Sequence, residues 1–268
     1  MIKFFRKIRQ KLLSENKFSK YLFYAIGEIV LVVLGILIAL QVNNWNEGNK
    51  KREIEITILK EIRNNLIFDL EDFESNIAHL KNKTTSSASL LKAFEDDLDY
   101  NDSLGYFFFY LKTYPHFSYK SNGYKLLLSK GLDIIKNDTI RNRITDLYED
   151  RYQYLKTQES ERINYNNSLE SKISPYYGTQ ILMLEQIPAE LIVKGSVETL
   201  LKFQFFRNIR NYEILKKDFE LHGIIKHIET MSKILSAIHT SVKNDNLELI
   251  NMIEKELEII SSKVNKNL

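Results

Sequence analysis

A chain of 268 residues with 44% hydrophobic and 27% charged side chains can build one substantial domain, or one domain plus an anchor, and it has the composition of neither a disordered nor a polytopic membrane protein. It contains no cysteine, which excludes disulfides, thiolate-held metals and thiol nucleophiles. The net charge of +3 is concentrated at the start: residues 1–20 hold seven basic side chains against Glu15, and the remainder is net −3, so no nucleic-acid partner is expected for the body.

Residues 1–20 form a basic head. Ile2, Phe5, Ile8 and Leu12 recur at helical steps among Lys3, Arg6, Lys7, Arg9 and Lys11. That pattern suits an amphipathic helix lying on an anionic leaflet, and the same charges also serve to set topology. From Tyr21 to Leu40 the sequence carries one charge, Glu28. Twenty helical residues rise about 30 Å, the thickness of a hydrocarbon core, so a transmembrane helix is expected over 21–41. A cleaved signal peptide has a shorter apolar run and a small-residue cleavage site, which Gln41-Val42-Asn43-Asn44-Trp45 lacks. Seven basic residues precede the span and four follow within twenty (Lys50, Lys51, Arg52, Lys60). The positive-inside bias then puts the N-terminus in the cytoplasm and the body outside, the topology of a single-pass inner-membrane protein with a periplasmic domain.

A carboxylate within hydrocarbon is expensive, and such residues usually face another helix, protonate or reach the headgroups. Tyr24, Glu28, Leu31, Gly35 and Ala39 share one stripe, with Gly35 and Ala39 small enough for close helix approach. This stripe is the expected membrane-helix interface, toward a second copy or a membrane-protein partner. The alternative is a Glu28 that is protonated or snorkels.

Residues 42–50 are polar, contain Gly48 and read as a juxtamembrane hinge before a helical domain over 51–268. With only 3 Pro and 9 Gly, long helices are expected. Ile54, Ile58, Ile62, Leu66, Leu70, Phe73, Ile77 and Leu80 mark the first helix. A Ser/Thr-rich break is expected at Asn82–Ser89, then a helix over 86–98. Asp102-Ser103 caps a helix over 104–114 holding Phe107-Phe108-Phe109-Tyr110, and Pro115 ends it. Ser121 caps a short helix that Gly131 closes, and Asn137 or Asp138 caps one running through Ile140, Ile144, Leu147, Tyr148 and Leu155 to about Ser171. Further helices are expected over 188–201 and 203–243, with a last one through Leu247, Ile250, Ile253, Leu257 and Ile260. The expected fold is all-α: a single N-terminal transmembrane helix followed by an extended antiparallel helical bundle.

No phosphate loop, dinucleotide fingerprint or serine elbow is present. His79, His116, His222, His227 and His239 are scattered; Asp218 and His222 share a face, but two ligands do not make a metal site. Arg141, Arg143 and Arg151 lie close together and suit salt bridges or an anion. Phe107, Phe108, Tyr110, Tyr124 and Arg141 make a candidate pocket, with core packing as the alternative. No catalytic, cofactor or metal residue is expected. The expectation is a non-enzymatic, membrane-anchored interaction or scaffold module; the alternative is an extracytoplasmic small-ligand sensing domain signalling through a membrane partner.

Two stretches carry a resemblance. One runs from Met1-Ile-Lys-Phe-Phe-Arg through Glu15-Asn-Lys-Phe-Ser-Lys-Tyr21 to Ala25-Ile-Gly-Glu28 and on to Asn43-Asn-Trp-Asn46; the other joins Ser121-Asn-Gly-Tyr124 and Gly131 to Asn137-Asp-Thr-Ile-Arg141 and Leu147-Tyr148. They resemble domain of unknown function 6090, an uncharacterised single-pass family of Gram-negative bacteria. The resemblance implies an inner-membrane anchor with an extracytoplasmic helical domain, and it implies no activity or site residues.

Overall fold

The computed structural model describes residues 18–173, 209 and 211–266. Apart from an isolated bridge at Ile209, every regular element among them is helical: α1 (Phe18–Glu95), α2 (Asp102–Lys112), α3 (Asn122–Lys130), a 3-10 turn (Leu132–Ile134), α4 (Asp138–Asp146), a π-turn (Leu147–Arg151), α5 (Tyr152–Ile173), α6 (Tyr212–Leu215) and α7 (Phe219–Lys266). The expected helix over 188–201, the basic head up to residue 17, and Pro175 and Gly178 lie outside the described residues. The chain divides after Thr57 into two compact units.

In the first unit, the helix contains one stretch long and apolar enough to cross a membrane, with mean hydropathy 2.5 and none of that window buried. A core helix of a soluble domain would bury it. The expected break at 42–50 is absent: the helix continues through it, with Asn43 Nδ2 donating to Glu47 Oε1 at 3.2 Å one turn on. A lone Gly48 costs a helix only about 1 kcal/mol and cannot stop it.

In the second unit, α1 buries Ile58, Ile62, Leu66, Phe73 and Leu80, the stripe that the periodicity marks. The break expected at Asn82–Ser89 is also absent, and two of its small polar residues face inward. Ser86 and Ser87 are buried, and the Ser87 hydroxyl donates back to Lys83 O at 2.9 Å. Within α1 a serine satisfies itself this way and leaves neighbouring elements room to approach. The helix ends at Glu95 on a left-handed Asp97 (φ 52°), with Leu98 N–H donating to Ala93 O at 2.9 Å. This is a Schellman end with aspartate in the usual glycine place. Its carboxylate receives Lys216 Nζ at 2.7 Å.

The cap of α2 is Asn101 rather than Asp102, its side-chain oxygen accepting from Leu104 N–H. Leu104, Phe108 and Leu111 then pack with Leu90, Phe94, Tyr212, Leu215 and Ile225 in one hydrophobic cluster. Asn137 caps α4 as one of the two expected candidates, accepting from Thr139 and Ile140 N–H. The last two expected helices are one. α7 starts at Phe219, where Asp218 accepts from Glu220 and Leu221 N–H, and it runs unbroken past Lys243 to Lys266.

Ion pairs set the direction of packing. Arg63 meets Glu254 while Glu74 meets Lys243, so α7 runs antiparallel to α1. Arg143 meets Glu248 and Arg151 meets Asp245, so α4 and the π-turn also run against α7. Arg141 pairs with Asp138 at 2.8 Å. The arginine trio is thus spent on salt bridges. Exposed pairs of this kind contribute about 1 kcal/mol or less each, and their value here is in register.

Candidate functional site

Residues 113–121 form no helix, so their backbone groups need other partners. Those partners come from α1, the π-turn and α5. Asn65, Asp69 and Asp72 lie at steps of four and three on one face of α1. Asn65 Oδ1 accepts from Gly123 N–H at 3.0 Å, Asp69 Oδ1 from Lys120 N–H at 2.8 Å, and Asp72 Oδ2 from Ser118 N–H at 3.1 Å. Glu159 of α5 accepts Phe117 N–H on both oxygens, at 3.1 and 3.0 Å. Lys83 Nζ donates to Thr113 O at 2.6 Å, and the Tyr148 hydroxyl to Lys120 O at 3.2 Å. The segment is latched along its length.

Behind the latch lies a buried polar network. The Tyr152 hydroxyl donates to Asp69 Oδ2 at 3.0 Å and accepts from Asn246 Nδ2 at 2.9 Å. His239 Nε2 stands 3.0 Å from Glu159 Oε1, close enough for an ion pair but not aligned as a hydrogen bond. Phe73 stacks on Phe117 with ring centres 4.4 Å apart, and Tyr124 on Tyr148 at 4.6 Å. Burial pushes the Asp69 carboxyl up to about 7, against the Lys120 amide and Tyr152 hydroxyl, which favour the anion. Burial raises Asp72 in the same sense. This interior is closed by aromatic rings and serves to hold the segment.

The five residues of the candidate pocket have the following partners. Phe108 is in the α2 cluster and Phe107 at its margin. Tyr110 is buried, with its hydroxyl accepting from Asn82 Nδ2 and its ring 5.6 Å from His79. Tyr124 donates to Glu149 at 2.8 Å, and Arg141 also donates to Ile135 O. Asp218 and His222 have structural tasks too: the first caps α7, and His222 Nε2 lies 2.8 Å from Lys216 O. Of the membrane stripe, Leu31, Gly35 and Ala39 are exposed and Glu28 is half-buried. The Tyr24 side chain lies outside what the structure describes, as do Lys3, Arg6, Lys7, Arg9 and Lys11.

A cleft opens elsewhere, enclosing ≈ 340 Å³ that includes space open to solvent. Leu80 and Lys83 of α1 line it, with Tyr114 and Pro115, Arg162 and Tyr165 of α5, and His227, Met231, Ser232 and Leu235 of α7. Lys83 is buried, and desolvation pulls its ammonium down to about 7. The Tyr165 ring lies 4.4 Å from the His227 ring. Sequence reasoning missed this site because its polar groups come from positions 83, 162 and 227. No spacing links them, and Lys83 falls in the segment read as a break.

Residues 28–209 match a family described as a family of unknown function, DUF6090. The chain belongs to that family. No curated protein and no solved structure gives a significant match. The DUF6090 match takes in Gly35, the latch residues of α1 and α5, the held segment and two cations of the cleft, Lys83 and Arg162. It ends before α7, so His239, Asn246 and the cleft's His227 and Ser232 lie beyond the DUF6090 match.

Proposed function

We propose that this DUF6090 protein is a non-enzymatic interaction module of the inner membrane, anchored by residues 21–41 with its N-terminus in the cytoplasm and its helical domain in the periplasm. The observation that carries the reading is the apolar helix window with no buried residue. An exposed apolar surface of that length is tolerable in lipid and a hazard in water. The basic head supports the orientation, and the small, exposed Gly35 and Ala39 on the face of Glu28 support contact with a second copy through that stripe.

The chain should stay in the pellet when membranes are washed with alkaline carbonate. A phosphatase active only outside the cytoplasm should work when fused after Leu268 and fail when fused before Met1. Release by carbonate would overturn the anchor, and the reverse reporter pattern would overturn the orientation. Because the sequence has no cysteine, Gly35→Cys places a single thiol on the stripe. Oxidation in membranes should yield a disulfide dimer; monomer alone, with the same outcome for Ala39→Cys, would remove self-association from the proposal.

A further inference from the structure

We propose that the cleft between α1, α5 and α7 binds a small organic carboxylate, held by Lys83 and Arg162 with its tail on the apolar wall. The polar groups come from three segments far apart in sequence and meet at one opening. Lys83 is 4% exposed, and Thr113 O takes one of its three donors. Arg162 Nε is buried with no acceptor among the described residues, while its terminal nitrogens reach Gln158 and the solvent-facing Glu161. No carboxylate is among the described lining residues, and Glu229 nearby on α7 is taken by Lys226 and Lys233.

A buried lysine with no counter-ion among the described residues is costly to keep charged, and desolvation accounts for its lowered pKa. An anion entering the cleft would supply the missing charge and acceptor. Leu80, Pro115, Met231 and Leu235 give the remaining wall an apolar character that inorganic anions cannot use. A planar carboxylate also matches a guanidinium edge better than a sphere of charge does. The anchored-module reading does not depend on this site, and binding there would give the domain a ligand to sense.

The test uses the full chain in a non-ionic detergent, titrated with butanoate, acetate, butan-1-ol and inorganic phosphate by calorimetry and ligand-observed NMR. Butanoate should bind on the order of 1 mM, ahead of acetate and phosphate, with butan-1-ol weaker by about tenfold or more. Lys83→Met should lower butanoate affinity by about tenfold or more while helicity is kept. Should that variant misfold, the more exposed Arg162→Gln decides by the same criterion. The proposal is overturned if butan-1-ol or phosphate binds as well as butanoate, if butanoate does not bind, or if a folded variant retains full affinity.

Discussion

The stability gap between the wild-type chain and Asp69→Asn should change with pH, the wild type losing ground as pH rises from about 4 to about 7. Burial lifts this carboxyl from 3.8 to about 7. The folded state therefore holds the proton more tightly than the unfolded chain does. Its contribution is complete below pH 3.8 and is lost as pH climbs through 7. A shift of about three units corresponds to roughly 4 kcal/mol across that window, an upper bound. Asparagine cannot ionise, yet it can accept from Lys120 N–H and donate to the Tyr152 hydroxyl, so the latch persists. The comparison must be a difference, because His79 is pulled down to about 4 and favours folding as pH rises over the same range. Lys83 acts in a separate window, between about 7 and 10.5. Urea unfolding of both chains in detergent at half-unit pH steps, followed by circular dichroism, reads the effect. Parallel curves would show that Asp69 is not the titrating group.

Gly123→Ala should cost about 3 kcal/mol, joining overpacking to a lost hydrogen bond. A Cβ at this position would lie 2.6 Å from Ile62 N and 2.9 Å from Ile62 Cα, both backbone atoms that cannot rotate away. The start of α3 must then lift from α1, which breaks the bond from Gly123 N–H to Asn65. Gly223→Ala should act oppositely. It sits within α7 with nothing within 4 Å of its added carbon, so it should gain up to about 1 kcal/mol from helix propensity. The pair is read by chemical denaturation. A neutral Gly123→Ala would mean that α3 does not hold its close approach to α1 in solution.

The helical character was legible because Ile58, Ile62, Leu66, Phe73 and Leu80 sit at helical steps and do form the buried stripe. The cap at Asn137 and the break at Gly131 (φ 92°) follow from local chemistry that the sequence displays, whereas the Asp218 cap interrupts a helix expected to run from 203 to 243. The polar stretches misled. Residues 43–49 and 82–89 look like loops, but a helix tolerates Asn, Ser and Thr when their side chains bond within the helix or pack inward. Asn65, Asp69 and Asp72 look like one solvated face and are instead acceptors for a segment some fifty residues on, as the bond from Lys120 to Asp69 shows. The sequence stretch from Ser121 to Tyr148 shows its caps and helical steps directly, and it also carries part of the family resemblance. Its physical content is now plain in the contact of Gly123 with Ile62, the Asn137 cap and the Tyr148 ring beneath Tyr124. For the candidate pocket, aromatic composition signals burial without saying which rings share a wall.

By shape, residues 113–121 are a loop; by solvent exchange they should behave as core. The amides of Phe117, Lys120 and Gly123 each rest on a buried or nearly buried side-chain oxygen. An amide held in this way is released only by an opening large enough to separate α1 from α5. Its deuterium uptake should therefore follow the unfolding of the whole domain, as slow as that of the packed helices. The most irregular stretch between α2 and α3 would then be among the last parts of the domain to let water in.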